Sequence, residues 1–282
     1  MIAVAGGLGA AFIWAIATLA GARASRVIGP WSTTGLVLFV GLLVSLPVLV
    51  LEPPPDPFAP ADLAWLTLAG LGYTVGLIFN YAALAGGKVA VTSPIVSTEG
   101  SVAAVLAVLT GEAAPPLLLA ALVLIAVGVV VVAARPGGGA DVLAGDGVRY
   151  VAYAVLAALI FGLGLYGAGR ASSEVPPGWV AFAGRFAGVL LLTLPLALTR
   201  HLRFDRRVLP YVLVAGVAEV AGMYAFAVGA AESIAVTSVL AALFAVLAAL
   251  FAHALGERIS RRQWSGVTAV TIGVVAITAM RL

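Results

Sequence analysis

The chain has 282 residues, 63% of them hydrophobic and only 10% charged, with a mean hydropathy of +1.16. A soluble domain carries about 25% charged residues, so this balance excludes an ordinary water-soluble enzyme or binding domain. With no cysteine there is no disulfide framework, cysteine zinc site or thiol nucleophile. The net charge of +3 reflects basic residues in the gaps between apolar runs, where they set membrane topology rather than bind nucleic acid.

Backbone groups in lipid must be paired within the protein, which leaves helices or a closed barrel. The apolar runs are continuous over about 20 residues rather than alternating over about 10, which predicts helices. In chain order the spans are Ala3–Ala22, Thr33–Leu51, Leu63–Ala85, Val89–Thr110, Pro116–Ala134, Tyr150–Gly169, Trp179–Leu198, Val208–Gly229, Ile234–Leu255 and Trp264–Met280. The first lacks the basic start and short apolar core of a signal peptide and reads as a retained helix. Glu52–Asp62 is acidic and proline-dense, cannot continue a helix and must lie outside the hydrocarbon. Arg135–Arg149 is glycine-rich and reads as a linker.

The second half of the chain repeats the first. Ala90-Val91-Thr92-Ser93 matches Ala235-Val236-Thr237-Ser238, 145 positions later. At the same offset Gly111-Glu112 meets Gly256-Glu257, and Gly128-Val129-Val130 meets Gly273-Val274-Val275. Phe79, Tyr81 and Ala82 meet Tyr224, Phe226 and Ala227. The predicted organisation is a first five-helix repeat over 1–134, a linker over 135–149 and a second five-helix repeat over 150–282.

Loop charge orients the spans. One side receives Arg23, Arg26, Lys88, Arg135, Arg149, Arg200, Arg203, Arg206, Arg207, Arg258, Arg261 and Arg262, and the other Arg170 and Arg281. The positive-inside rule places the first set in the cytoplasm and both termini outside. Each half has an odd number of spans, so the halves insert in opposite senses. The predicted fold is an all-α polytopic membrane protein with ten transmembrane helices as two inverted five-helix repeats, an architecture of secondary transporters. Trp31, Trp65, Trp179 and Trp264 sit at span ends as interfacial anchors. Trp14 is mid-span, where its N–H needs a protein or ligand partner.

Several segments carry a family resemblance. Phe12-Ile13-Trp14 and Phe161-Gly162 resemble an aromatic-Trp-Gly repeat start, and Tyr81-Ala82-Ala83-Leu84 is echoed by Tyr224-Ala225-Phe226-Ala227. Leu255-Gly256-Glu257-Arg258-Ile259-Ser260 resembles an LGER-(I/L)-S junction, with Leu109-Thr110-Gly111-Glu112 as its counterpart. Gly266 and Gly273 of the last span are mirrored by Ala121 and Gly128. In this order, within a doubled five-span unit, they resemble the drug/metabolite transporter superfamily in its ten-helix branch with paired EamA domains. The resemblance covers essentially the whole chain. It implies a carrier or exporter of small metabolites such as amino acids, nucleotide-sugar-like compounds or cationic drugs. Two features depart from the family. Its second-helix arginine is matched by Arg185 in the second half but by Val37 in the first, and relatives are usually described with cytoplasmic termini.

Intramembrane ionisable residues are rare and costly, about 2.5–3.5 kcal/mol at a helix centre on insertion scales. Glu99 and Glu219 lie mid-span, and the repeat replaces them by Phe244 and Thr74. Each either binds a substrate ammonium or a coupling proton, or bonds a neighbouring helix in a packing role. Trp14, Tyr81, Phe161, Tyr166 and Tyr224 supply rings; rings around a carboxylate favour an organic cation or an aromatic amino acid. Asn80 is placed for a substrate contact or an interhelical hydrogen bond. Arg185 either snorkels to the interface, pairs with an acid or meets a substrate carboxylate. Glu112 and Glu257, after glycines at helix ends, read as caps, and His253 as an interfacial residue or a proton relay.

The substrate-binding candidates are therefore Trp14, Asn80, Tyr81, Glu99, Arg185, Glu219 and Tyr224. No P-loop, HExxH or GxSxG pattern occurs, so ATP drive and these enzyme chemistries are not expected. No metal or cofactor is expected. The expected partners are a small-molecule substrate, the lipid bilayer and coupled protons, with no nucleic acid and the chain working as a monomer in the cell inner membrane. The expected function is secondary active export of amino acids or organic cations by alternating access at the repeat interface. A lipid or headgroup flippase of the same superfamily is the alternative.

Overall fold

Proline marks where many of the helices begin. Helices α2 (Pro30–Leu51), α3 (Pro60–Gly86), α6 (Pro116–Ala133) and α8 (Pro177–Gly188) open on proline, and α10 (Leu209–Ala230) carries Pro210 at its second position. There the missing N–H is one that a helix start leaves unpaired in any case. The remaining helices are α1 (Ile2–Ile28), α4 (Val89–Val96), α5 (Glu99–Leu109), α7 (Gly147–Ala171), α9 (Leu194–Leu198), α11 (Ile234–Ala241) and α12 (Phe244–Ala254). They come from a computed structural model that describes residues 1–54, 58–87, 89–113, 115–133 and 147–254, with 265, 268–269, 272–273 and 276. No strand occurs among the described residues.

Among the described residues, six helical segments are long and apolar enough to cross a membrane: Ile2–Ile28, Pro30–Leu51, Pro60–Gly86, Val148–Ala171, Pro177–Leu198 and Arg206–Ala230. Gly29 alone separates α1 from α2, with φ of 82°. A side chain would be strained in that left-handed conformation. The seventh span is α8 and α9 joined by a π-helical turn over Val189–Thr193, which ends two residues before Pro195. Its repeat counterpart Pro47 lies inside an α2 that stays α-helical.

Two expected spans are corrected. Val89–Thr110 is not one helix but α4 and α5, divided at Ser97–Thr98, and Ile234–Leu255 is α11 and α12, divided at Ala242–Leu243. The breaks lie 145 positions apart, at equivalent sites of the repeat. At each, an N–H turns back three residues instead of four: Thr98 to Ile95 O at 3.2 Å and Leu243 to Leu240 O at 3.1 Å. Such turns interrupt the helical ladder inside an apolar span. The sixth span begins at Gly147 rather than Tyr150. Most of the tenth span, most of the linker, Lys88, Glu257 and the side chain of His253 lie outside the described residues.

Close contacts give each helix its direction. Helix α1 runs antiparallel to α10, since Gly6 meets Gly229 and Arg23 lies over the Tyr211 ring. Helix α3 runs antiparallel to α7, since Gly72 meets Gly164, Gly76 meets Phe161 and Gly86 meets Tyr150. Helix α2 is antiparallel to α8, with Gly35 near Thr193, Gly41 near Arg185 and Val48 near Gly178. Helices α5 and α11 are antiparallel, with Gly100 against Ser238 and Glu112 on Ser233. The parallel pairs are α2 with α10, α3 with α8, α5 with α7, and α1 with the ninth span. Each pair has its partner under exchange of the halves, and equivalent helices point in opposite directions. The two repeats are therefore inverted, and their pseudo-two-fold axis passes between the two broken spans.

One face of the bundle is tied by carboxylates on helix starts. Glu112 accepts the Ser233 hydroxyl and the Ala235 N–H (3.2 Å), capping α11. Glu232 accepts the Ala3 N–H and the amino terminus (3.2 Å), capping α1. Glu52 accepts the Gly178 N–H at 2.7 Å, capping α8, and its carbonyl accepts the Trp179 indole at 2.9 Å. Each satisfies backbone donors that a helix start leaves open and places a negative charge at the positive end of the dipole.

Candidate functional site

Where the halves meet, a partly open cleft lies between helices of both repeats. Helix α1 contributes Trp14 and Thr18, α3 Tyr73 and Asn80, α7 Phe161 and Leu165, and α10 Glu219 and Met223. The broken spans supply Val96, Glu99 and Phe244. Glu99 is the first residue of α5 and Phe244 the first of α12. Repeat-equivalent positions thus reach the same cleft from the two breaks, one as an acid and one as a ring.

The two acids are held differently. Glu219 is buried and accepts the Tyr73 hydroxyl at 2.9 Å. Behind Tyr73 stands Arg185, 1% exposed, with its guanidinium 4.1 Å from the centre of the Tyr73 ring. Arg185 donates to the Ala181 carbonyl at 3.0 Å and to the backbone carbonyl of Glu219. It does not snorkel to an interface; α3 and α10 enclose it, and its N–H groups are turned to backbone oxygens. Glu99 is also buried, at 6% exposure, yet has no hydrogen-bond or ionic partner among the described residues. An unpaired buried acid is costly, and this one faces the cleft.

Trp14 stacks on Phe226 at 6.0 Å and 28°, and its pyrrole edge, with the indole nitrogen, lies against Gly222 of α10. Its indole N–H is buried without an acceptor among the described residues. The cleft therefore holds one unmatched acid, with the Phe161 and Phe244 rings among its walls.

The cleft brings Trp14, Asn80, Glu99 and Glu219 together. Arg185 stands behind Tyr73 rather than at the cleft wall. Tyr81 is fully buried against Gly21 of α1, outside the lining, with its hydroxyl unpartnered among the described residues. Tyr224 is 37% exposed and donates to Glu52 at 2.6 Å, away from the cleft. Tyr166 donates to Thr110 and packs edge-on against Trp65, which Arg170 covers at 5.3 Å. The sequence reading missed Tyr73, Thr18 and Met223. Tyr73 had a signal: it lies seven residues before Asn80, two helical turns along one face of α3.

The sequence profile of the EamA-like transporter family matches residues 1–134 and 148–279. No curated protein sequence matches the chain. A solved structure whose title reads only "Crystal structure of protein" is similar in fold, with TM-score 0.76 and 19% identity over 99% of this chain and 96% of that one. With both repeats matched and a cleft lined from each, the chain belongs to the EamA-like transporter family and is a multi-pass membrane transporter of small molecules.

Proposed function

We propose that this transporter is a secondary active exporter of small organic cations, amino-bearing metabolites included, working by alternating access around the cleft between the repeats. Glu99 carries this reading: a buried carboxylate without a hydrogen-bond or ionic partner among the described residues, in a cleft walled by aromatic rings. A cation placed there would meet a full negative charge and ring faces, each worth about 0.5–2 kcal/mol by cation–π attraction. A proton can occupy the same carboxylate when the cation leaves, which would couple export to a proton gradient. Loop charge supports insertion in the cell inner membrane with both termini outside, and the site needs residues from one chain only, in keeping with a working monomer. A lipid phosphate would need free basic groups, whereas Arg185 is engaged with backbone carbonyls and Tyr73.

A thermal-shift series on purified protein tests the substrate class. Trimethylphenylammonium at about 100 times its Kd is expected to stabilise the fold by roughly 2.7 kcal/mol, while nucleosides and uncharged aromatic compounds leave the midpoint unmoved. Stabilisation by neutral compounds alone, with every cation inert, would overturn the cation reading.

A further inference from the structure

We propose that Arg185, through Tyr73, sets the valence of the cargo, so that the cleft takes one positive charge at a time and rejects dications. The proposal rests on the cation reading of the cleft given above. Among the described residues, three ionisable groups lie deep in the spans around it: Glu99, Glu219 and Arg185. Glu219 and Arg185 are joined through Tyr73, whose hydroxyl binds the Glu219 carboxylate at 2.9 Å while its ring carries the guanidinium at 4.1 Å. The Arg185 guanidinium also holds the Glu219 backbone carbonyl. These contacts fix a positive charge beside the acid of α10 without a direct salt bridge, and the pair is neutral as a unit. Glu99 has no such companion. The dipole ends at its helix break largely cancel, because the end of α4 and the start of α5 are separated by only Ser97 and Thr98. With all three groups ionised, the cleft carries one uncompensated negative charge.

A monocation neutralises that charge. A dication leaves an unpaired positive charge in a low-dielectric space, where the attraction that repays desolvation is missing for its second head. Arg185 is a positioning residue here: it acts on selectivity through Tyr73 and Glu219 and does not touch the cargo. Its repeat counterpart is Val37, equally buried, so the asymmetric charge balance is built in one half only.

The test compares butyltrimethylammonium with 1,4-bis(trimethylammonio)butane. Both are permanently charged, so deprotonation cannot blur the count. Equilibrium binding to the full-length protein is expected to favour the monocation by about tenfold or more. In Arg185→Gln the cleft gains a second uncompensated negative charge, and the ratio is expected to fall by about tenfold or to invert. Glu219→Gln provides an independent arm should Arg185→Gln fail to fold. That variant leaves Glu99 opposed by Arg185, and the monocation is expected to lose about tenfold in affinity. Equal binding of the two cations by the unaltered protein, or an unchanged ratio in Arg185→Gln, would overturn the valence proposal while leaving the cation site standing. Equal monocation affinity in Glu219→Gln would do the same. Binding of neither cation would remove the cation reading itself, and this proposal with it.

Discussion

Glu99→Gln is expected to abolish transport and, in the same protein, to leave the fold as stable as before or more so. The two effects have one cause. The Glu99 carboxylate is buried without a hydrogen-bond or ionic partner among the described residues, so the fold gains nothing from its charge and bears the cost of desolvating it. An amide of nearly the same shape removes that cost. The substrate loses its counter-charge, and breaking a buried ion pair costs about 3–5 kcal/mol, on the order of 100-fold or more in affinity. Thermal midpoint and proteoliposome flux, measured on one preparation, check the pair. A clear fall in stability with flux retained would show Glu99 to be a packing residue.

Gly72→Val is expected to be among the most damaging single changes to the fold, although Gly72 carries no functional group. A Cβ at Gly72 would stand 2.7 Å from the Cα of Gly164, across the antiparallel contact of α3 and α7. That contact is made by backbone, which cannot rotate aside as a side chain can. Small residues at such crossings let helices approach closely in lipid, where packing rather than hydrophobicity holds them together. Forcing them apart is expected to cost about 3 kcal/mol and to displace Tyr73 and Phe161, which carry the cleft on the same two helices. Gly9→Val is the matched control, because a Cβ at Gly9 meets only the Ala225 methyl at 3.7 Å. Thermal unfolding and monodispersity on gel filtration read the difference; equal tolerance of both substitutions would contradict this packing.

Much of the architecture was legible in the sequence because it follows from one-dimensional patterns. Run length separates lipid-spanning helices from soluble ones, and arginine placement with five spans per half requires inversion. The antiparallel contacts between repeat-equivalent spans, α2 with α8 and α5 of the fourth span with α11 of the ninth, now display that inversion. The 145-residue offset also pairs Glu99 with Phe244, and the structure shows why that pair matters: both positions begin the second half of a broken span.

The breaks themselves were not legible. Pro94 precedes the first by three residues, but Ala242-Leu243 is apolar and helix-compatible, and only the tertiary crossing interrupts it. Side-chain partners were equally hidden. Tyr81 and Tyr224 are both rings on membrane helices, yet one is sealed against Gly21 and the other reaches Glu52. Which way a ring faces is set by the neighbouring helix, and hydropathy does not record that. Arg185 looked like a candidate to snorkel because that is the common fate of an arginine near a span end. The tyrosine face and two carbonyls that hold it come from helices distant in sequence or from its own preceding turn.

The most direct test is counterflow of labelled trimethylphenylammonium in proteoliposomes. A carrier whose single site alternates between faces binds cargo on one side and must return loaded or empty, so unlabelled cation inside should speed entry of the label several-fold. Uptake is expected to show this acceleration in the unaltered protein and none in Glu99→Gln. Uptake indifferent to cation on the opposite side, or acceleration that survives Glu99→Gln, would contradict an alternating site built on Glu99.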